Sequence, residues 1–194
     1  MEPASLSIHV LPGGSLPERM TKGAIGYDVR IRALVSPNEM DPEYPLLRKT
    51  LFNFNEIPED PRIAGQVYEL RRKNGDPELV YRMEPGESVL AGIGFVTEMP
   101  FPLFYWVAPR SGLASRWNIT VTNAPGTVDP DYRGEAGVLI YNRGVSHFDL
   151  RRGMRIAQII FQHAVIPEFS VAAQYEDLLV TDRNVGGFGS TGMR

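Results

Sequence analysis

Nowhere in its 194 residues does this chain sustain a helical period; its apolar residues come in short runs broken by 19 glycines and 16 prolines. A chain punctuated in this way folds as many short strands joined by turns, so the expectation is an all-β domain. Residues 6–11 alternate and read as a strand, closed by Pro12-Gly13-Gly14. In the stretch after Gly23, Val29, Ile31 and Ala33 would share one strand face, with Arg30 and Arg32 on the other. Residues 88–98 and 103–108 read as strands on either side of Met99-Pro100-Phe101-Pro102, and residues 145–150 and 154–161 as two more, the last extended by 164–166. Short helices are expected only within 109–116 and 175–179. One domain of this length buries a sizeable core, and no repeat or linker marks a second.

Residues 36–83 stand apart. Pro37, Pro42, Pro45, Pro58, Pro61 and Pro77 recur among charges, and Asn74-Gly75 lies between two apolar runs as a hairpin signal. The expected form is an insertion: an extended segment, then a protruding hairpin whose charges solvate an open face or meet a protein partner.

Composition excludes several functions. There is no cysteine, which removes disulfides, zinc-thiolate sites and thiol catalysis and fits a cytoplasmic protein. A net charge of -3 argues against general affinity for nucleic acid or anionic membranes. No run of 18 apolar residues suggests a membrane span, and the first residues lack the pattern of a signal peptide. His9, His147 and His163 lack ligand spacing and read as structural.

The chemistry-bearing stretch is 123–135, Asn-Ala-Pro-Gly-Thr-Val-Asp-Pro-Asp-Tyr-Arg-Gly-Glu, between the apolar runs 117–121 and 136–141. It is too long for a tight turn, and Pro125, Gly126, Pro130 and Gly134 shape it. Asp129, Asp131 and Tyr132 on such a loop suit holding a flat ring and activating a water, or simply solubilising a hairpin. At 181–194, four glycines surround Phe188. That glycine-rich arm is expected to be mobile when free. Its N–H groups, Arg183, Ser190 and Thr191 suit phosphate binding, or it is a frayed end.

Five segments, in order, resemble the motifs of the homotrimeric dUTPase family (deoxyuridine triphosphate nucleotidohydrolases). They are Ala24-Ile25-Gly26-Tyr27-Asp28-Val29, then Pro109-Arg110-Ser111-Gly112-Leu113-Ala114, then Gly126 through Glu135, then Gly153-Met154-Arg155-Ile156-Ala157-Gln158, and last Arg183 through Gly192. Two departures stand out: Asn184 replaces a usual glycine, and region 36–83 lengthens the gap between the first two motifs.

The resemblance implies a distorted, jelly-roll-like β-barrel and a homotrimer with active sites shared between chains. The first, second and fourth motifs would come from one chain, the third from another and the arm from the remaining one. It implies hydrolysis of dUTP to dUMP and pyrophosphate with Mg²⁺ on the triphosphate, lowering dUTP and supplying dUMP for thymidylate synthesis. Asp129 matches the carboxylate that activates the water attacking the α-phosphorus. Tyr132 matches the aromatic against the deoxyribose, and Asn123, Thr127 and Val128 match the uracil pocket. Arg110, Ser111 and Gly112 match the phosphate cradle, with Gln158 a further phosphate contact. Asp28 matches a carboxylate behind the metal's water shell. In the arm, Phe188 matches the cap on uracil and Arg183 the γ-phosphate contact, and Gly189, Ser190 and Thr191 complete the substrate contacts. Arg155 fits a structural ion pair inside the assembly, and Asp131 receives no role.

Two rival readings remain. dCTP deaminases share the fold but need a glutamate in the strand after the central loop, where this chain has Gly137-Val138-Leu139-Ile140-Tyr141-Asn142, and a second serine in place of Gly112. A dUTPase-like regulatory protein would bind a partner through 36–83, with or without hydrolysis.

Overall fold

Antiparallel pairing organises the computed structural model, which describes residues 5–45 and 47–184. The described strands form four sheets. The first pairs β1 (Ser7–Val10) with β8 (Phe95–Glu98). The second has the order β10-β12-β7-β3-β4, from Ile119–Val121, Gly137–Asn142, Ser88–Gly92, Ala33–Met40 and Arg48–Phe52. The third has the order β11-β9-β14-β2, from Gly126–Val128, Leu103–Pro109, Arg155–His163 and Tyr27–Arg30. The fourth has the order β13-β6-β5, from Phe148–Arg151, Pro77–Met83 and Val67–Arg71. Their inner faces enclose one apolar core, a distorted barrel with residues from all these long sheets, among them Val29, Leu34, Tyr81, Tyr105, Ile140 and Ile159.

Alternation names the core residues here but not the strand, since Val29 lies in β2 of the third sheet and Ala33 in β3 of the second, with Ile31 in the link between them. Val29, Ile31 and Ala33 are buried to 1%, 1% and 0% exposure. The opposite face is not simply solvent, however: Arg32 forks onto the buried carboxylate of Glu135. Residues 88–98 are two strands rather than one. The chain breaks at Ile93-Gly94, where Gly94 has φ 76, and crosses from the second sheet to the first. Such a switch is how a strand turns a barrel corner.

The hairpin of region 36–83 forms but does not protrude. Strand β6 pairs with β5 on one side and β13 on the other, and Val80, Tyr81 and Met83 are fully buried. Apolar residues on its inner face leave it no stable position outside the barrel. Gly75, with φ 90, makes the turn. The preceding residues add β4 to the edge of the second sheet, and Phe52 packs 4.5 Å from Phe54 and 6.5 Å from Tyr81, ring to ring. Burying a phenylalanine contributes roughly 2–3 kcal/mol, so this region is bonded into two sheets at once.

Two short helices complete this part. α1 (Pro61–Ala64) starts at an Asp60 cap that accepts from Arg62 N–H. α2 (Ser111–Trp117) ends at Asn118, whose φ of 54 turns the chain into β10. The chain divides into two units between Ala164 and Val165. Strand β14 stops at His163, so the expected extension over 164–166 does not form. Among its described residues the second unit, taken by itself, has a 3-10 turn at Tyr175–Asp177, and Phe169, Val171 and Leu179 are exposed.

Candidate active site

Strand register brings three of the sequence motifs together. Gln158 of β14 lies opposite Asp28 of β2 on one side and Ala108 of β9 on the other, so these residues form one row across the third sheet. Strand β9 then ends, and Arg110 reaches back over that row. Its Nη2 stands 3.1 Å from Asp28 Oδ2, and its Nη1 donates to the Arg155 carbonyl at 3.0 Å. Arg155 Nη1 also donates to Asp28 Oδ2, at 3.0 Å. Gln158 donates to the Pro109 carbonyl at 2.9 Å. Gly26 explains itself here, because a Cβ at that position would collide with the Gln158 carboxamide.

Two guanidinium groups share one carboxylate, so the cluster keeps a net positive charge and holds its donors at fixed places. That suits a polyphosphate, which binds best to preorganised, charge-assisted donors. Ser111 and Gly112 open α2 beside it, both exposed, and the first N–H groups of a helix have no partner within it. Among the described residues nothing lies within 4 Å of a Cβ built on Gly112.

The central loop is a second, separate arrangement. Its strand β11 pairs with β9, with Gly126 opposite Val107 and Val128 opposite Tyr105. The Asn123 amide nitrogen sits 3.1 Å from where a Gly126 Cβ would stand. Asn123, Thr127 and Asp129 are exposed, Val128 half-buried. A turn follows, closed by Tyr132 N–H to the Asp129 carbonyl at 3.2 Å. The Tyr132 hydroxyl donates to the Glu135 carbonyl at 3.1 Å, and the ring lies over Gly134, where a Cβ would come within 2.8 Å of Cζ. Arg133 Nη1 holds the Pro130 and Tyr132 carbonyls at 2.6 and 3.2 Å. The loop is therefore shaped, and Tyr132 is 38% exposed, leaving ring surface for a ligand.

The two arrangements do not meet within one chain along the shared strand. Val128 is opposite Tyr105, five residues before Arg110, and β11 runs away from that end. At about 3.4 Å per residue, roughly 17–20 Å of β9 separates Asp129 from Arg110.

For a divalent cation, no three His, Asp or Glu side chains converge among the described residues. Asp28 is a single carboxylate whose Oδ2 takes both ion pairs, leaving Oδ1 outside them. That donor set fits Mg²⁺ held chiefly by phosphates and waters, and no cage of protein ligands.

Phe188, Gly189, Ser190 and Thr191 lie outside the described residues. Arg183 and Asn184 are exposed, and Asn184 has φ 43, a left-handed conformation that asparagine tolerates. Sequence reasoning anticipates that Arg155 pairs with a carboxylate without naming it, and the partner is Asp28 in the same chain. It also passed over Arg32 and Glu135, since alternation reports a side chain's face and not what waits on that face.

A family model described as dUTPase matches residues 80–192. The chain is 37% identical over 186 residues to the deoxyuridine 5'-triphosphate nucleotidohydrolase of Heliobacterium modesticaldum, covering 94% of this chain and 92% of that protein. It is 41% identical over 137 residues to the enzyme of the same name from Caulobacter vibrioides, covering 71% and 86%. A solved structure of the Staphylococcus bacteriophage 80alpha dUTPase with dUPNHPP matches with a TM-score of 0.65 over 97% of this chain and 98% of that one, at 18% identity, which is a likeness of fold.

Proposed function

The chain belongs to the dUTPase family, and we propose on that footing that it hydrolyses dUTP to dUMP and pyrophosphate in sites shared by three copies of the chain. The observation that carries the shared site is the separation along β9. Asp129 and Arg110 must both serve one substrate, yet about 20 Å of strand lies between them in one chain. A ring of identical chains brings the loop of one copy to the phosphate cluster of the next.

In such a site Arg110, the opening of α2 at Ser111 and Gly112, and Gln158 hold the phosphates. Asp129 orients a water in line with the α-phosphorus and takes its proton as the new P–O bond forms. The bond to the bridging oxygen breaks and pyrophosphate leaves with that electron pair. An ionised aspartate is a weak base, so positioning and charge stabilisation supply most of the acceleration. Tyr132 packs against the deoxyribose. Asn123 and the backbone at Thr127 and Val128 read the uracil edge, where a mismatched base would leave polar groups unpaired. The arm, with Arg183, Phe188, Gly189, Ser190 and Thr191, closes over the substrate and excludes water. Mg²⁺ on the triphosphate supplies charge neutralisation, and Asp28 is the residue that would order its water shell. The enzyme would act in the cytoplasm, lowering dUTP and supplying dUMP for thymidylate synthesis.

Two inactive variants, Asp129→Asn and Arg110→Met, test the shared site. Co-expressed, they should regain activity, with about a quarter of the sites intact by random assembly. No recovery from correctly assembled mixtures would place both groups in one chain. Hydrolysis in ¹⁸O water should label dUMP, and label in pyrophosphate would contradict attack at the α-phosphorus.

A further inference from the structure

The last residue of the central loop, Glu135, is 1% exposed, and the chemistry above does not use it. Its carboxylate receives three donors. Arg32 Nε reaches Oε1 at 2.9 Å and Nη2 reaches Oε2 at 2.7 Å, a two-pronged fork, and Gly94 N–H reaches Oε1 at 2.8 Å. Arg32 lies in the link between β2 and β3, and Gly94 in the link between β7 and β8. The Gly92 backbone makes the space, since a Cβ there would stand 2.6 Å from Oε1. A buried carboxylate is costly unless its lone pairs are met, and here they are met by two different parts of the barrel.

The other end of the same residue faces the site. The Glu135 carbonyl accepts the Tyr132 hydroxyl at 3.1 Å. The Tyr132 ring is thereby tied to a residue that is itself locked to the barrel, while the turn between them, at Arg133 and Gly134, is free of regular pairing.

We infer that Arg32 and Glu135 are positioning residues that set the sugar selectivity of Tyr132. This rests on the reading of Tyr132 as the wall against the deoxyribose. Rejecting a 2′-hydroxyl by contact requires a ring held to a fraction of an ångström, because a ring that gives way admits the extra atom. The Glu135 side chain is buried and taken up by Arg32 and Gly94, and the residue meets Tyr132 through its carbonyl. The effect of the pair passes along that hydrogen bond to the ring, so it falls on discrimination between dUTP and UTP more than on turnover of dUTP.

The test is kcat/KM for dUTP and for UTP, with thermal melting, on the full-length protein and on Arg32→Lys, Glu135→Gln and Tyr132→Phe. Arg32→Lys keeps the charge but loses the fork. Tyr132→Phe keeps the ring and cuts only the bond to the carbonyl, so it stays informative should a change at the buried pair prevent folding. A core variant, Leu150→Ala, serves as the control for lost stability. We expect the preference for dUTP over UTP to fall about three- to tenfold in Arg32→Lys, Glu135→Gln and Tyr132→Phe, the scale of one hydrogen bond, and to stay unchanged in Leu150→Ala. An unchanged preference in Tyr132→Phe and in whichever buried-pair variants fold, with a wild-type protein that is selective for dUTP, would overturn this inference alone. A wild-type protein that releases no pyrophosphate from dUTP would overturn the inference together with the reading it rests on.

Discussion

Arg110 and Asp28 are 82 positions apart in the chain and 3.1 Å apart in space, and the same carboxylate oxygen also holds Arg155 at 3.0 Å. One negative charge therefore sets the positions of two guanidinium groups. Asp28→Asn should loosen both and leave them repelling each other. Because charge-assisted bonds of this kind are worth about 1.5–3 kcal/mol, the KM for dUTP should rise roughly ten- to a hundredfold, with a lower melting temperature. Steady-state kinetics and a melting curve on one preparation check this, and an unaltered KM would detach Asp28 from the phosphate cluster.

Asp129 is exposed on a loop whose shape does not depend on its side chain. Asp129→Asn should thus bind dUTP as the parent does while kcat falls by about 10²–10⁴, the usual contribution of a positioned base. Calorimetric titration with a non-hydrolysable dUTP analogue separates the two quantities. Near-normal turnover would remove Asp129 from the role of base.

Ending the chain before Thr181 removes Arg183 and the glycine-rich arm and leaves every described strand of the barrel in place. Sedimentation should show the same assembly as the full-length protein, and most dUTP hydrolysis should be lost. Full activity in the shortened protein would contradict closure by the arm.

Two buried tyrosines predict the response to alkali. Burial pushes Tyr105 up to about 12, and burial together with the Glu87 carboxylate, 2.6 Å from its hydroxyl, pushes Tyr81 up as well. In the unfolded chain both ionise near pH 10. A raised folded-state value means that stability is fully present below pH 10 and declines as pH rises above it, by at most about 1.4 kcal/mol per pH unit for each tyrosine. Urea unfolding at pH 9, 10, 11 and 12 should show that decline, and Tyr105→Phe should make it shallower. An identical slope in the variant would contradict the assignment.

Local patterns carried the parts of this fold that local chemistry decides. Period-2 alternation identified Val29, Ile31 and Ala33 as core, and Asn74-Gly75 identified a hairpin. What stayed hidden depends on distant partners. Strand β6 looks like a protruding arm in the sequence because its neighbour β13 arrives only at Phe148. The strand break at Gly94 reflects a change of sheet that no alternation records. Within the site, the motif residues Asp28, Arg110 and Gln158 were each named from sequence. The row that joins them comes from the register of β2, β14 and β9, and the ion pair between Arg155 and Asp28 becomes evident only once that register is set.

Pyrophosphate release with Mg²⁺ from dUTP, dCTP, dTTP and UTP, compared on one preparation of the protein, decides the substrate. A loop that reads the uracil edge and walls off the 2′ position predicts rapid release from dUTP and little from the other three. Equal release from dUTP and dCTP, or none from dUTP, would contradict it.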